Sequence, residues 1–288
     1  MSQVISTSRR TDIPMRYPEW LSHAVARGFV DVPQPYSRSI RRVSLLPQDV
    51  HTLVLWSKDF RPLLADAGGC RRMLMRYEQV FCHITVTGLG STPFEPNVAP
   101  WHDIVSQFPD LVDFAGDARR VALRFDPIVH WRDGSSVRSN VQLAGPIFRA
   151  ASAVRIPTVR ISFAALYGKV LRRGPRWHQP SVEERLEIST RLVRLAQSHG
   201  IMLQACSQRD LSQAGAVPSR CIDGALLSAL HPKNAPAILV KDRGQRPECG
   251  CTTSIDIGAY TMRCPNGCLY CYANPWIGGR AESNAAST

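Results

Sequence analysis

No stretch of the 288-residue chain approaches the roughly 18–20 consecutive apolar residues that cross a bilayer, which excludes a helical membrane protein. The first ten residues hold no charged-then-apolar leader. With nine cysteines in one chain, that absence points away from secretion and from a disulfide scaffold, toward a reducing cytoplasmic setting in which thiols stay free for metal. Internal repeats are missing too. Acidic residues are in short supply: 23 Asp+Glu face 35 Lys+Arg, and the formal charge of +12 favours an anionic partner. No DNA- or RNA-binding motif accompanies the excess. The basic residues are mostly arginines scattered in small groups at 38–42, 71–72, 119–120 and 172–176, where a nucleic-acid binder tends to show one stripe with interleaved aromatics. Each group reads first as a solvated helix end or loop, ahead of a phosphate contact. The expected partner is therefore an anionic small molecule such as a nucleotide or sugar phosphate, with nucleic acid as the alternative that net charge alone supports.

What is present is an alternation of short β-rich runs and helix-length segments. Strands are expected at 4–8, 29–33, 52–57, 80–87, 120–125, 158–163 and 201–206, with a weaker eighth at 237–241. The clearest helix spans 181–198: Ser181 and Glu184 form a capping-box pair, and Leu186, Leu192, Val193, Leu195 and Ala196 give an apolar face that ends near Gly200. Strand–helix alternation implies parallel strands, and seven or eight of them in about 245 residues suggest an α/β fold of the (β/α) barrel type, 1–245. A doubly wound open sheet is the alternative. A cysteine-rich segment follows at 246–277, and 278–288 reads as a frayed tail.

In a barrel, polar residues at the carboxyl ends of strands face the site. By that rule Arg9, Arg10 and Asp12 after the first strand, Lys58 after the third, Arg124 and Asp126 on the fifth, Ser162 on the sixth and Cys206 on the seventh are candidates. For Arg9, Arg10 and Asp12 the competing reading is a salt bridge with helix capping. Arg124 and Asp126 alternate along one strand, so both can point to one face.

The most specific pattern is Cys264-Pro265-Asn266-Gly267-Cys268-Leu269-Tyr270-Cys271. Its thiols are separated by three and then two residues, and the turn formers Pro265 and Gly267 let a short segment curl around one inorganic core. A zinc knuckle completed by Cys249 and Cys251 is the alternative, although zinc sites more often pair CxxC spacings. Cys206, Cys221, Cys249 and Cys251 together could supply a second metal site, since four thiolates on one 4Fe–4S core complete it. Cys70 and Cys82 read as small buried hydrophobes.

This loop, with aromatic Tyr270 before the last cysteine, resembles the CxxxCxΦC loop of the radical S-adenosylmethionine superfamily. The resemblance implies that Cys264, Cys268 and Cys271 ligate three irons of a 4Fe–4S cluster, leaving the fourth iron for S-adenosylmethionine, and that Tyr270 packs near the adenine. The stretches ISTSRRTDIP, LWSKDF, RFDPI, ISF, CID and QRPECGCTTSIDIGAYTMRCPNGCLYCYAN together resemble the bacterial domain of unknown function 1848. That family implies a barrel followed by the cysteine cluster. The superfamily carries its loop after the first barrel strand, so a C-terminal loop must fold back over the barrel mouth to work. The expectation is then a noncanonical radical enzyme, reduced by a donor such as ferredoxin or flavodoxin. Asp12, Lys58, Arg124 and Asp126 would be catalytic. Arg9, Arg10, Ser162 and Tyr270 would contact the cofactor. A second cluster would serve electron relay, substrate binding or sulfur donation. The competing classes are a radical enzyme acting on DNA or RNA and a nonenzymatic iron–sulfur or zinc protein.

Overall fold

The computed structural model describes residues 2–33, 39–259, 261–273 and 275–277; Arg38 of the first basic group and the expected tail 278–288 lie outside the described residues. Eight parallel strands make one sheet: β1 Gln3–Ser6, β2 Val50–Ser57, β3 Val80–Thr85, β4 Val121–Ile128, β5 Thr158–Phe163, β6 Met202–Ala205, β7 Val217–Pro218 and β8 Ile255–Asp256. Neighbours follow chain order from β1 to β7, and β8 pairs with β1 on its free side. A doubly wound sheet reverses its order at a switch point, and no such reversal occurs here. The two ends of the sheet, β7 and β8, share no ladder among the described residues. The Thr252 amide instead donates to the Ile222 carbonyl at 2.9 Å, and the Ile222 amide to Cys251 Sγ at 3.4 Å, so the segments after β7 and before β8 meet.

Two sequence expectations are corrected. Phe29–Pro33 is a strand, but it pairs antiparallel with Ile40–Ser44 in a separate hairpin. Residues 237–241 form no strand beyond a single Lys241–Thr252 bridge. The last two sheet strands are two residues each, too short to show a period-2 pattern.

Alternation along the strands sorts the sheet into two faces. Leu53, Leu55, Cys82, Ile84, Leu123, Phe125, Val159 and Ile161 belong to the main core with the helical residues Leu21, Leu111, Phe148 and Leu192. Val4, Val54, Trp56, Phe81 and Ala122 form a second cluster with Cys221, Ile222, Cys249 and Cys251. Each fully buried aliphatic side chain contributes about 1.5–3 kcal/mol, so the helix-facing side carries most of the apolar burial. The helix Val182–Ser198 has its full capping box, Glu184 N donating to Ser181 Oγ at 3.2 Å and Ser181 N to Glu184 Oε2 at 2.7 Å. It buries Ile188, Leu192, Val193 and Ala196, while Leu186 and Leu195 pack partly buried against the core. Cys70 and Cys82 are fully buried in that core, and burial pushes the Cys70 thiol up to about 12.

Candidate functional site

A cavity of about 400 Å³ opens at the carboxyl ends of the parallel strands. Arg9, Arg10 and Asp12 enter it after β1, Lys58 after β2, Arg124 and Asp126 from β4, and Ser162 from β5. Cys206 follows β6, Cys221 follows β7, and Cys249 and Cys251 precede β8. Cys264, Cys268, Tyr270 and Cys271 line the same space. The structure thus brings every candidate site residue named from the sequence to one cavity.

The cysteine loop is docked by contacts spread over several strand ends. Asn266 Nδ2 donates to Asp12 Oδ2 at 3.1 Å, and Arg16 Nε donates to Asn266 Oδ1 at 2.6 Å. Asn97 Nδ2 holds the Pro265 carbonyl at 2.7 Å, Tyr17 Oη the Arg263 carbonyl at 2.6 Å, and Arg173 Nη1 the Cys271 carbonyl at 2.7 Å. Gly267 turns the chain between the thiols with φ +71°, a conformation that costs side-chain-bearing residues energy and glycine little.

Asp12 is a tether on both sides of that dock. Its carboxylate accepts from Ser57 Oγ at 2.6 Å, Lys58 N at 2.8 Å and Met15 N at 3.2 Å, besides Asn266. Burial raises its pKa, and these four donors hold it back. The helix-capping half of its competing reading is therefore present: Asp12 caps the turn Ile13–Arg16. Arg10 Nη1 donates to the Gly258 carbonyl at 2.9 Å, and Asp256 Oδ2 accepts the Arg9 amide at 3.0 Å, so β8 is tied to the loop after β1.

Lys58 Nζ pairs with Glu95 at 3.0 Å and lies 5.6 Å from the Tyr270 ring centre. Burial opposes the lysine's charge, but Glu95, Cys268 and Asp12 outweigh it and raise its pKa. The Tyr270 hydroxyl donates to the same Glu95 oxygen, as does Thr87. Arg124 pairs with Asp126, whose other oxygen accepts from Ser162. Both β4 side chains share one face, as their alternation requires.

Four residues of this region were not evident from sequence. Glu95 sits in an irregular loop without periodicity. Asn266 lies between the turn formers Pro265 and Gly267. Arg160 and His83 are polar residues inside apolar strands, and that interruption was the available signal. Arg160 is 2% exposed. Its Nη1 lies 3.1 Å from His83 Nδ1; a guanidinium only donates, so Nδ1 accepts and Nε2–H donates to the Cys221 carbonyl at 2.7 Å. Burial and the two nearby guanidiniums lower the His83 pKa well below its ordinary value, consistent with a neutral ring.

All nine cysteines are free thiols. Burial pushes Cys264 up to about 11 and Cys268 well above its ordinary value; Cys268 feels both Cys264 and Cys271, with Lys58 opposing. Among the described residues no three His, Cys, Asp or Glu side chains converge tightly enough to hold a single metal ion. Tetrahedral zinc, with Zn–S of about 2.3 Å, would draw thiolates to roughly 4 Å of one another. A polynuclear cluster carries each thiolate on a different iron and spreads them wider. Three neighbouring thiols facing a cavity and lacking disulfide partners have the donor chemistry for such a cluster.

Fold and site define an α/β protein with a cysteine-lined cavity at the carboxyl ends of parallel strands. The sequence model of the Domain of unknown function (DUF1848) family matches residues 4–273, and the chain belongs to that family. Comparison with curated proteins finds no match.

Proposed function

We propose that this chain is a noncanonical radical S-adenosylmethionine enzyme acting on an anionic small molecule, a nucleotide or sugar phosphate. The observation that carries the reading is the docking of Cys264, Cys268 and Cys271 on the cavity lined by Asp12, Lys58, Arg124 and Asp126. A radical must arise within a few ångströms of the atom it attacks, and a loop placed elsewhere could not serve. The sequential strand order supports a (β/α) barrel with its seam between β7 and β8, over whose mouth the 246–277 segment closes.

Cys264, Cys268 and Cys271 would hold a 4Fe–4S cluster, with Arg9, Arg10, Ser162 and Tyr270 around S-adenosylmethionine. When bound and reduced, for example by ferredoxin or flavodoxin, this pair supplies a 5′-deoxyadenosyl radical. The chain's own residues then orient the substrate and exclude water. Five cations, Arg9, Arg10, Lys58, Arg124 and Arg246, line the cavity against two carboxylates, Asp12 and Asp126, which suits an anionic substrate. Arg124 presents a charge already oriented by Asp126, and Lys58 one oriented by Glu95. The neutral Tyr270 hydroxyl, engaged by Glu95, fixes its ring beside Cys268 and Cys271.

Anaerobic incubation with dithionite and S-adenosylmethionine tests this directly. 5′-Deoxyadenosine should form with wild-type protein and not with the Cys264→Ala/Cys268→Ala/Cys271→Ala variant. Purification with zinc and no iron would end the radical reading and leave a structural metal protein.

A further inference from the structure

The cavity holds a second set of thiols that the loop does not use. Cys206, Cys221, Cys249 and Cys251 gather where the segments after β7 and before β8 meet. Cys206 Sγ lies 3.7 Å from Cys221 Sγ, Cys221 and Cys249 each interact with Cys251, and the Ile222 amide points at Cys251 Sγ from 3.4 Å. The thiols follow one another as a chain of contacts; among the described residues no three such groups share a centre for one ion, and the 3.7 Å between Cys206 and Cys221 must widen for each thiolate to take its own iron.

Guanidiniums surround them. Arg124 Nη1 donates to Cys221 Sγ at 3.1 Å. Arg160, wholly buried, acts electrostatically on Cys206, Cys221 and Cys251, and Arg9 on Cys249 and Cys251. Arg9 Nη2 and Arg160 Nε are buried without a hydrogen-bond partner. Arg124 has the Asp126 carboxylate, but Arg160 hydrogen-bonds to a neutral imidazole and the Arg220 carbonyl, neither of them an anion. Burying an uncompensated guanidinium costs several kcal/mol. Such a cation calls for negative charge beside it, and the adjacent groups able to carry it are the thiols.

We propose that Cys206, Cys221, Cys249 and Cys251 hold a second iron–sulfur cluster, fully ligated by thiolates, whose negative charge Arg9, Arg124 and Arg160 balance. It is independent of the loop cluster and needs none of the loop's cysteines. With a thiolate on every iron it has no open position for S-adenosylmethionine, so its role is one-electron transfer at the cavity wall. Reduction adds negative charge to the core, and the three cations favour that state, so they raise the reduction potential.

Metal analysis of the anaerobically reconstituted Cys264→Ala/Cys268→Ala/Cys271→Ala variant tests the site apart from the proposed enzyme activity. About four irons per chain should remain, with an electron paramagnetic resonance signal on reduction. The Cys206→Ala/Cys249→Ala variant should lose about the same number from wild type, leaving the loop cluster's share. Arg9→Gln should keep the iron and shift the midpoint potential of the loop-less protein to lower values. A loop variant without iron, or with zinc in its place, would overturn the second cluster even while wild type still cleaves S-adenosylmethionine. An unshifted potential in Arg9→Gln would overturn the charge-balancing role. The loop variant's iron count decides the site even where the Cys206→Ala/Cys249→Ala protein does not fold.

Discussion

Asn266 reaches Asp12 across 3.1 Å, joining the last cysteine loop to the first strand's exit over 254 positions of chain. The same carboxylate holds Ser57 and the Lys58 amide, so one buried acid aligns the ends of β1 and β2 with the loop. Removing the Asn266 amide leaves that carboxylate one donor short in a buried setting. Asn266→Ala should cost about 1–3 kcal/mol and act locally. Hydrogen exchange is expected to quicken at 264–272 while the strand amides of β2 and β3 stay protected. Unchanged exchange in the loop would show that Asn266 is not its tether.

Thiol chemistry should divide the nine cysteines by position. Cys70 and Cys82 are sealed in the core, and burial holds both in the thiol form at neutral pH. The thiolate is the reactive species. Brief alkylation of native metal-free protein, read by peptide mass spectrometry, should reach the partly exposed cavity thiols Cys206 and Cys271 while Cys70 and Cys82, closed to solvent, are spared until denaturant is added. Early labelling of Cys82 would contradict its place on the helix-facing side of β3.

His130 gives the fold an acid-sensitive element. It is buried, stacked on Phe163, and its pKa is lowered to about 4 by burial and by His178. A histidine lowered on folding stabilises the protein above its unfolded value near 6.5, and that contribution is lost as pH falls from there toward 4. Urea denaturation across this window should show stability falling with pH in wild type, with a shallower slope in His130→Phe. Equal slopes would remove His130 from the acid response.

Salt separates the two anionic substrate classes. A phosphorylated small molecule in the cavity should bind with modest salt dependence. A duplex contacting six or more Lys and Arg would lose about a thousandfold or more between 50 and 200 mM salt. Equilibrium binding of a nucleotide and of duplex DNA at both ionic strengths checks this, and a steep, saturable DNA response would move the substrate to nucleic acid.

The parts of this architecture that were legible in the sequence are those with periodicity or fixed spacing. Val182–Ser198 announced itself through its capping box and apolar face, and β2 through eight successive buried residues. The hairpin strand Phe29–Pro33 carries the same local signal as a sheet strand, and only the partner it meets distinguishes the two. Strands β7 and β8 are fixed by neighbours, not by pattern. In the site, strand-end logic located Arg124 and Asp126, whereas the Glu95 hub and the Arg160–His83 pair depend on contacts between distant segments that no local window contains.

The meeting of β1 with β8, and of Asp12 with Asn266, also dictates an order of events in biosynthesis. Helices and neighbouring strands can settle as they leave the ribosome, since their contacts are local. The cavity cannot, because residues 3–12 must wait for 255–272 to be made. Any inorganic cargo destined for it would therefore be loaded late, on a scaffold already mostly folded, and a chain stalled before residue 255 would display half a binding site to the cell.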